Sequence, residues 1–282
     1  MTHSTSFSTA TPSPTSGLAM VRSIWLHQHL LRQLVARDVS SRYRGSWAGL
    51  LWSLLMPCVM LGVYLFVFGH VFVPAKSMGA PANANSVFVL SLFAGMLLHG
   101  LVAECLGRGP TAVLSQPSYV KKVVFPVHLL PLTVVGTAVV QFLIGSAVLL
   151  VGLAFWQGLT FKALLWPLAW LPLVAFATGV TLVLSALTVY LRDLAQLTGF
   201  FSTILLFLSP VFYPLESAPA GWQEVLLFNP LTIPIEATRS LLLHDQWPDP
   251  GLWSIHTIAS LATWYAGWWV FQRTRRGFAD VV

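Results

Sequence analysis

The eight histidines, the serines and the two cysteines carry the intrinsically reactive side chains of this 282-residue chain, and their spacing decides what chemistry they could do. His27 and His29 lie two apart, which does not put them on one face of a helix, and no H-E-x-x-H or paired cysteines offers a metal site. Cys58 and Cys105 each sit inside an apolar stretch and read as small buried hydrophobes. No serine stands in a G-x-S-x-G turn, and no base can be named for one. A G-x-x-x-x-G-K-[ST] phosphate loop is missing as well, so the chain is expected to bind no nucleotide, metal or other cofactor itself. An enzyme has little to stand on here.

Charge inside apolar sequence is the next source of chemistry, because an ion-coupled carrier needs buried acids or bases near the middle of the membrane. Glu104 is the main instance, and Arg108 lies one helical turn beyond it, so a local pair at the end of a helix accounts for both. Arg192 and Asp193 occupy a short turn between two apolar stretches and read as its anchor. A proton- or sodium-driven carrier is disfavoured on this pattern.

The elements that must position these groups follow from composition. Hydrophobic residues make up 56% of the chain and charged ones only 9%, against about 25% charged in a soluble domain. Six apolar stretches, at about 50–73, 87–106, 127–155, 164–191, 194–212 and 253–271, each approach the ~20 residues that a helical span requires. Pro57, Pro131, Pro167 and Pro172 interrupt some of them, as membrane helices tolerate. The expected fold is therefore an all-α membrane domain of six spans over residues 47–282. Residues 1–17 hold ten Ser or Thr and read as a disordered tail, with an organellar transit peptide as the rival. Residues 18–46 read as an amphipathic segment lying in the membrane interface, Trp25 at headgroup depth. With both termini cytoplasmic, twelve of the fifteen Lys and Arg fall inside, leaving Lys76, Lys162 and Arg239 outside. The basic charge is thus a topology signal and points away from nucleic acid.

The motifs gather where the chain enters the first stretch. Arg37, Asp38, Arg42, Tyr43, Ser46, Gly49, Trp52 and Pro57 fit R-D-x-x-x-R-Y-x-x-S-x-x-G-x-x-W-x-x-x-x-P. Tyr119-Val120-Lys121-Lys122 runs into Phe125-Pro126 between the second and third stretches, and Asn229-Pro230-Leu231-Thr232 precedes Glu236 and Arg239 before the last. In these three places the sequence resembles the permease subunits of ABC-2 type exporters, specifically the branch that exports O-antigen, capsule and teichoic acid chains.

That resemblance implies a bacterial inner-membrane permease that pairs with a second copy. Two ATP-binding subunits would dock on the cytoplasmic side, where ATP and Mg are used by the partner and not by this chain. It makes Arg42, Tyr43, Arg44, Tyr119, Lys121 and Lys122 candidates for ATPase coupling, with residues 110–122 as the segment seated in the partner; a plain positive-inside anchor explains the lysines equally. A lipid-linked polysaccharide is the implied substrate. Because sugars offer hydroxyl edges and apolar C–H faces to aromatic rings, Trp52, Tyr64 and Phe68 are candidates for the substrate path, against a lipid-facing belt. Residues 213–252 are expected to form two short helices dipping into the outer leaflet, carrying Asn229, Pro230, Glu236 and Arg239, the last two spaced to pair. Rival readings are an ABC-2 exporter of a drug or another lipid, an ion-coupled carrier, and a membrane-embedded enzyme acting on lipid-linked sugars.

Overall fold

The computed structural model describes residues 17–68, 84–121, 125–219 and 221–281. The expected tail (all but Gly17), the end of the first apolar stretch after Phe68, and Lys122 lie outside the described residues. Within them every regular element is helical: α1 (Gly17–Leu26), α2 (Gln28–Arg42), α3 (Leu51–Phe66), α4 (Ala84–Arg108), α5 (Pro117–Val120) and α6 (Leu129–Trp156), followed by α7 (Pro167–Thr188), α8 (Leu194–Phe207), α9 (Trp222–Leu227), α10 (Thr232–Leu242), α11 (Pro250–Thr274) and α12 (Phe278–Val281).

Among the described residues, three helical runs are long and apolar enough to cross a membrane: Asn85–Arg108, Leu129–Trp156 and Phe161–Thr188. The third joins a 3₁₀ turn at Phe161–Leu165 to α7, with Pro167 in the first helical position, where its missing N–H costs nothing. The sixteen residues of α3 and fourteen of α8 rise only ~24 Å and ~21 Å, short of the ~30 Å hydrocarbon core. Pro210 disfavours helix at Ser209, and α8 stops at Phe207, short of the end of the fifth stretch. At 25 residues α11 has the length, but hydroxyls, His256 and Gln272 dilute its apolar character.

That dilution is ordered. On α11 the buried positions include His256, Ser260 and Gln272, while Ile255, Ile258, Leu261, Tyr265 and Trp269 face outward. Likewise α7 buries Thr178, Thr181, Ser185 and Thr188. Their hydroxyls bond back to carbonyls of the preceding turn, Thr178 Oγ1 to Val174 O at 2.7 Å and Thr188 Oγ1 to Leu184 O at 2.7 Å. The hydroxyls share the inward faces with large apolar side chains such as Leu173 and Leu182 on α7 and Trp268 and Phe271 on α11, and small residues at a helix interface are what lipid surroundings favour.

The most extensive helix pair is α7 with α11, and glycine makes it possible. A Cβ on Gly179 would overlap the Thr263 and Trp264 backbone, and one on Gly267 would overlap the backbone of Gly179. The two helices therefore cross backbone against backbone. The second strong pair, α4 with α6, holds the larger apolar core, including Leu90, Leu98, Phe142 and Leu149. The amphipathic segment is two helices and not one, bent at His27, whose Nδ1 meets Ser23 O at 2.9 Å. Met20 and Leu34 are buried whereas Trp25 and Leu26 are exposed, and α2 lies across α6 so closely that a Cβ on Gly136 would strike Val35.

Gly179→Val should overpack the α7–α11 crossing by about 1–3 kcal/mol or more, since the obstacle is backbone. A thermal-shift measurement on detergent-purified protein should show a large drop in Tm. Gly199→Ala on α8, where a Cβ meets nothing within 4 Å, should leave Tm unchanged.

Candidate functional site

Two clusters of polar side chains stand at opposite ends of the helix bundle, and α4 reaches both. At one end, Asp38 and Arg42 sit one turn apart on α2, and Glu104 and Arg108 one turn apart on α4. Arg108 grips Asp38 with both arms, Nη2 to Oδ1 at 2.7 Å and Nη1 to Oδ2 at 2.8 Å, and also donates from Nη1 to Glu104 Oε1 at 3.0 Å. Arg42 donates to Glu104 in turn and lies 3.8 Å from Asp38. Thr137 Oγ1 of α6 donates to Asp38 Oδ2 at 2.9 Å. Each helix carries an acid followed by a base, so only an antiparallel contact satisfies all four charges. The local Glu104–Arg108 pair expected from spacing exists, but it is half of a network.

Burial works to raise the Asp38 carboxyl, yet hydrogen bonds from Arg108 and Thr137 and the charges of Arg108 and Arg42 outweigh it, leaving Asp38 below the usual 3.8. Side chains in the network remain 23–39% exposed, so any single ion pair contributes little. What the bidentate geometry supplies is a fixed docking angle for α2.

The loop after α4 joins the same face. Arg37 Nη1 donates to Tyr119 Oη at 2.9 Å and its guanidinium lies 5.7 Å from the Tyr119 ring centre; Phe125 packs on that ring at 4.7 Å. Between α2 and this loop opens a groove of about 680 Å³, lined among others by Arg37, Asp38, Arg44, Arg108, Gln116 and Tyr119. The coupling candidates thus divide. Arg44 and Tyr119 line the groove, and Lys121 is exposed beside it. Arg42 is engaged in the network, and Tyr43 Oη donates to Gln141 Oε1 of α6 at 3.4 Å, so both are tied to the spanning helices. The S-x-x-G part of the motif builds the turn out of α2. Ser46 Oγ accepts from Gly49 N at 3.1 Å, and Gly45 and Gly49 take φ of +88° and +51°, which a side chain would oppose.

The aromatic candidates are less open than expected. Tyr64 lies 6.2 Å from Phe93 of α4 and 6.4 Å from Phe68, which itself meets Phe88 at 6.1 Å, so this face of α3 is seated in the α3–α4 seam. Trp52 contacts Trp47 edge-on at 6.3 Å. The open side of α3 presents Leu55, Met56, Val59 and Val63 instead.

At the far end Arg239 is 6% exposed and fully engaged. It donates from Nε to Ser91 Oγ at 2.7 Å, from Nη1 to Glu236 Oε1 at 2.7 Å and Tyr213 O at 3.2 Å, and from Nη2 to Val211 O at 3.0 Å. Asn229 Nδ2 donates to Leu205 O at 3.1 Å, and its Oδ1 accepts from Leu231 N at 2.9 Å as Pro230 turns the chain towards α10. Two short helices, α9 and α10, do occupy this segment. Their motif residues fasten α10 to α4 and to the end of α8. Thr137, Gln141 and Ser91 are participants that sequence reading missed. The matched acid–base order on α2 and α4 was the one available signal for the network.

Arg108→Leu leaves Asp38 with Thr137 and Glu104 with Arg42, and should cost about 1 kcal/mol, read as a modestly lower Tm at neutral pH. Because the Asp38 pKa is depressed, its contribution is present above about pH 3.8 and is lost as pH falls through the lower folded value. Tm measured from pH 7 down to 3 should therefore decline below about pH 3.8, and Asp38→Asn should flatten that decline.

Comparison with known proteins agrees with this architecture. The ABC-2 type transporter family matches residues 29–243. The O-antigen export system permease protein RfbA of Myxococcus xanthus is 28% identical over 269 residues, covering 94% of this chain and all of that protein. RfbA of Klebsiella pneumoniae is 25% identical over 90% of this chain and 95% of that protein. The polysialic acid transport protein KpsM of Escherichia coli is 25% identical over 74% of this chain and 80% of that protein. The family match takes in α2, the charged network and the whole of α10, so this multi-pass helical membrane protein belongs to the ABC-2 type transporter family.

Proposed function

We propose that the chain is the permease subunit of an ATP-driven exporter that carries a lipid-linked polysaccharide across a bacterial inner membrane. The observation that carries this reading is the end-to-end similarity to permeases named for O-antigen export, which includes the N-terminal helices and the outer segment alike. In this reading two copies pair, six segments cross the membrane with both termini cytoplasmic, and α3, α8 and α11 complete the set begun by the three long apolar runs. The inward bias of Lys and Arg supports that orientation.

ATP and Mg belong to a separate pair of subunits, whose place is the groove between α2 and the loop after α4. Arg44, Tyr119 and Lys121 are the side chains offered to them there, and Lys122 follows in sequence. Movement of the loop is handed to α2 through the Arg37–Tyr119 bond, and from α2 to α4 and α6 through Asp38, Arg108 and Thr137. The permease thus needs no reactive site of its own. Its task is to convert displacement at one end into a change between helices.

Deleting the gene should trap undecorated polymer inside the cell and remove surface polysaccharide, both restored by the wild-type gene; normal surface polysaccharide in the deletion strain would defeat the reading. Tyr119→Phe, which keeps the ring and loses the bond from Arg37, should lower export on the order of tenfold at equal membrane abundance. Immunoblots of surface polymer against permease level would measure it.

A further inference from the structure

A cleft at the end of the bundle remote from the charged network is not used by anything described above. It has two chambers. One, of about 210 Å³, is lined by Glu216, Thr232, Glu236, Ser240 and Asp249 with apolar neighbours. The other, of about 260 Å³, is lined by Leu165, Leu168, Leu241, Trp247, Pro250 and Trp253. Pro248 and Trp253 belong to both, so the chambers adjoin across one indole and one proline ring. Their volumes together fall in the range of about 300–1,000 Å³ that small-molecule sites occupy.

The walls are held in place before any ligand arrives. Trp253 Nε1 donates to Leu168 O at 3.1 Å, which fixes the shared indole. Lys162 Nζ donates to Asp245 O at 2.6 Å and stands 5.9 Å from the Trp247 ring centre, pinning the linker between α10 and α11. Asp245 itself takes a φ of +49°, a left-handed conformation that the linker sustains, and Gln246 N donates to Ser240 O at 2.8 Å. Glu236 is anchored by Arg239 and by Leu215 N through the same oxygen, Oε1, which leaves Oε2 as its acceptor for a ligand.

We propose that this cleft is a binding site for one neutral sugar unit of the exported chain, the C–H face of the ring on Trp247 and Trp253 and its hydroxyls on Glu236 and Ser240. The inference rests on the polysaccharide-export reading and names the class of sugar. Charge decides it. Glu216 and Asp249, with Glu236 balanced by Arg239, disfavour a phosphate, a uronate or an acidic headgroup, while carboxylates accept from sugar hydroxyls and the Ser240 hydroxyl can donate to them. An acyl chain would fill the Trp-lined chamber and leave the polar chamber unsatisfied. A neutral pyranose has an apolar face and a polar rim and matches both. Since α10 is clamped to α4 by Arg239, occupancy of the cleft is sensed by a spanning helix directly.

Saturation-transfer NMR on the permease purified with its ATP-binding subunits in nanodiscs tests the site. The probes are methyl glycosides of neutral hexoses, 6-deoxyhexoses and N-acetylhexosamines, with methyl glucuronide as the charged comparator and a short-chain phosphatidylethanolamine as lipid competitor. Transfer to at least one neutral glycoside, weaker transfer to the glucuronide, and no displacement by the phospholipid are expected. Trp247→Ala should weaken the signal about threefold to tenfold, Trp247→Phe less, and Trp222→Ala, an exposed tryptophan on α9 outside the cleft, not at all. Absence of transfer to every neutral probe, an equal signal in Trp247→Ala, or displacement by the phospholipid overturns the site. In the deletion strain, Trp247→Ala should restore less surface polymer than wild type at equal abundance, and equal restoration also overturns it. If deletion leaves surface polysaccharide intact, it is the export reading that fails, and the glycoside NMR still decides the cleft.

Discussion

In hydrocarbon there is no water to bond a polar group, so every polar group that the membrane surrounds must find its partner inside the protein. This constraint arranges the whole molecule. Hydroxyls on α7 turn inward and bond to their own helix, as Thr181 Oγ1 does to Ala177 O at 2.6 Å. Full charges stand at the ends of the bundle, where Asp38, Arg42, Glu104 and Arg108 pair at one end and Glu236 and Arg239 at the other. With the α7 hydroxyls settled locally, Gly179 against Gly267 lets α7 and α11 meet backbone to backbone.

The same constraint gives the two ends different characters. At the end carrying α2, the four charges are partly open to solvent, so breaking any one pair costs little. A network of that kind suits a joint that must move. At the other end Arg239 is almost wholly buried and satisfied by four different acceptors, which makes releasing it costly. It suits a fixed clamp. Because Ser91, Glu104 and Arg108 all belong to α4, the joint and the clamp act on a single rigid helix.

Between them the peripheral helices are loosely held. Within α8 only Thr198 is buried, and α3 buries Ser53, Pro57 and Leu61 on one narrow stripe. The first leans on α4 and the second on α6 and α4, and both leave broad apolar faces open, among them Phe200 and Phe201 on α8 and Met56 and Val59 on α3. In the proposed exporter these are the elements with freedom to shift when the loop after α4 is displaced, since α6, α7 and α11 are locked by their own packing.

Composition and spacing by themselves determined the helical class, the apolar stretches, the side of the bundle where basic residues collect, and the Glu236–Arg239 pair one turn apart on α10. Such features are written in periodicity and local separation, which a single chain displays without folding. Only the tertiary structure decided that Arg42 and Tyr43 turn towards the spanning helices, that Tyr64 is seated against Phe93, and that Arg108 reaches Asp38 seventy positions away. The seating of Tyr64 depends on how α3 lies on α4; the other outcomes depend on which face of α2 meets α4 and α6, fixed by the close approach at Gly136 and by antiparallel matching of two acid–base pairs. A residue's type states what it can bond to; its partner is chosen by the angle at which helices cross, and the linear order of residues does not carry that angle.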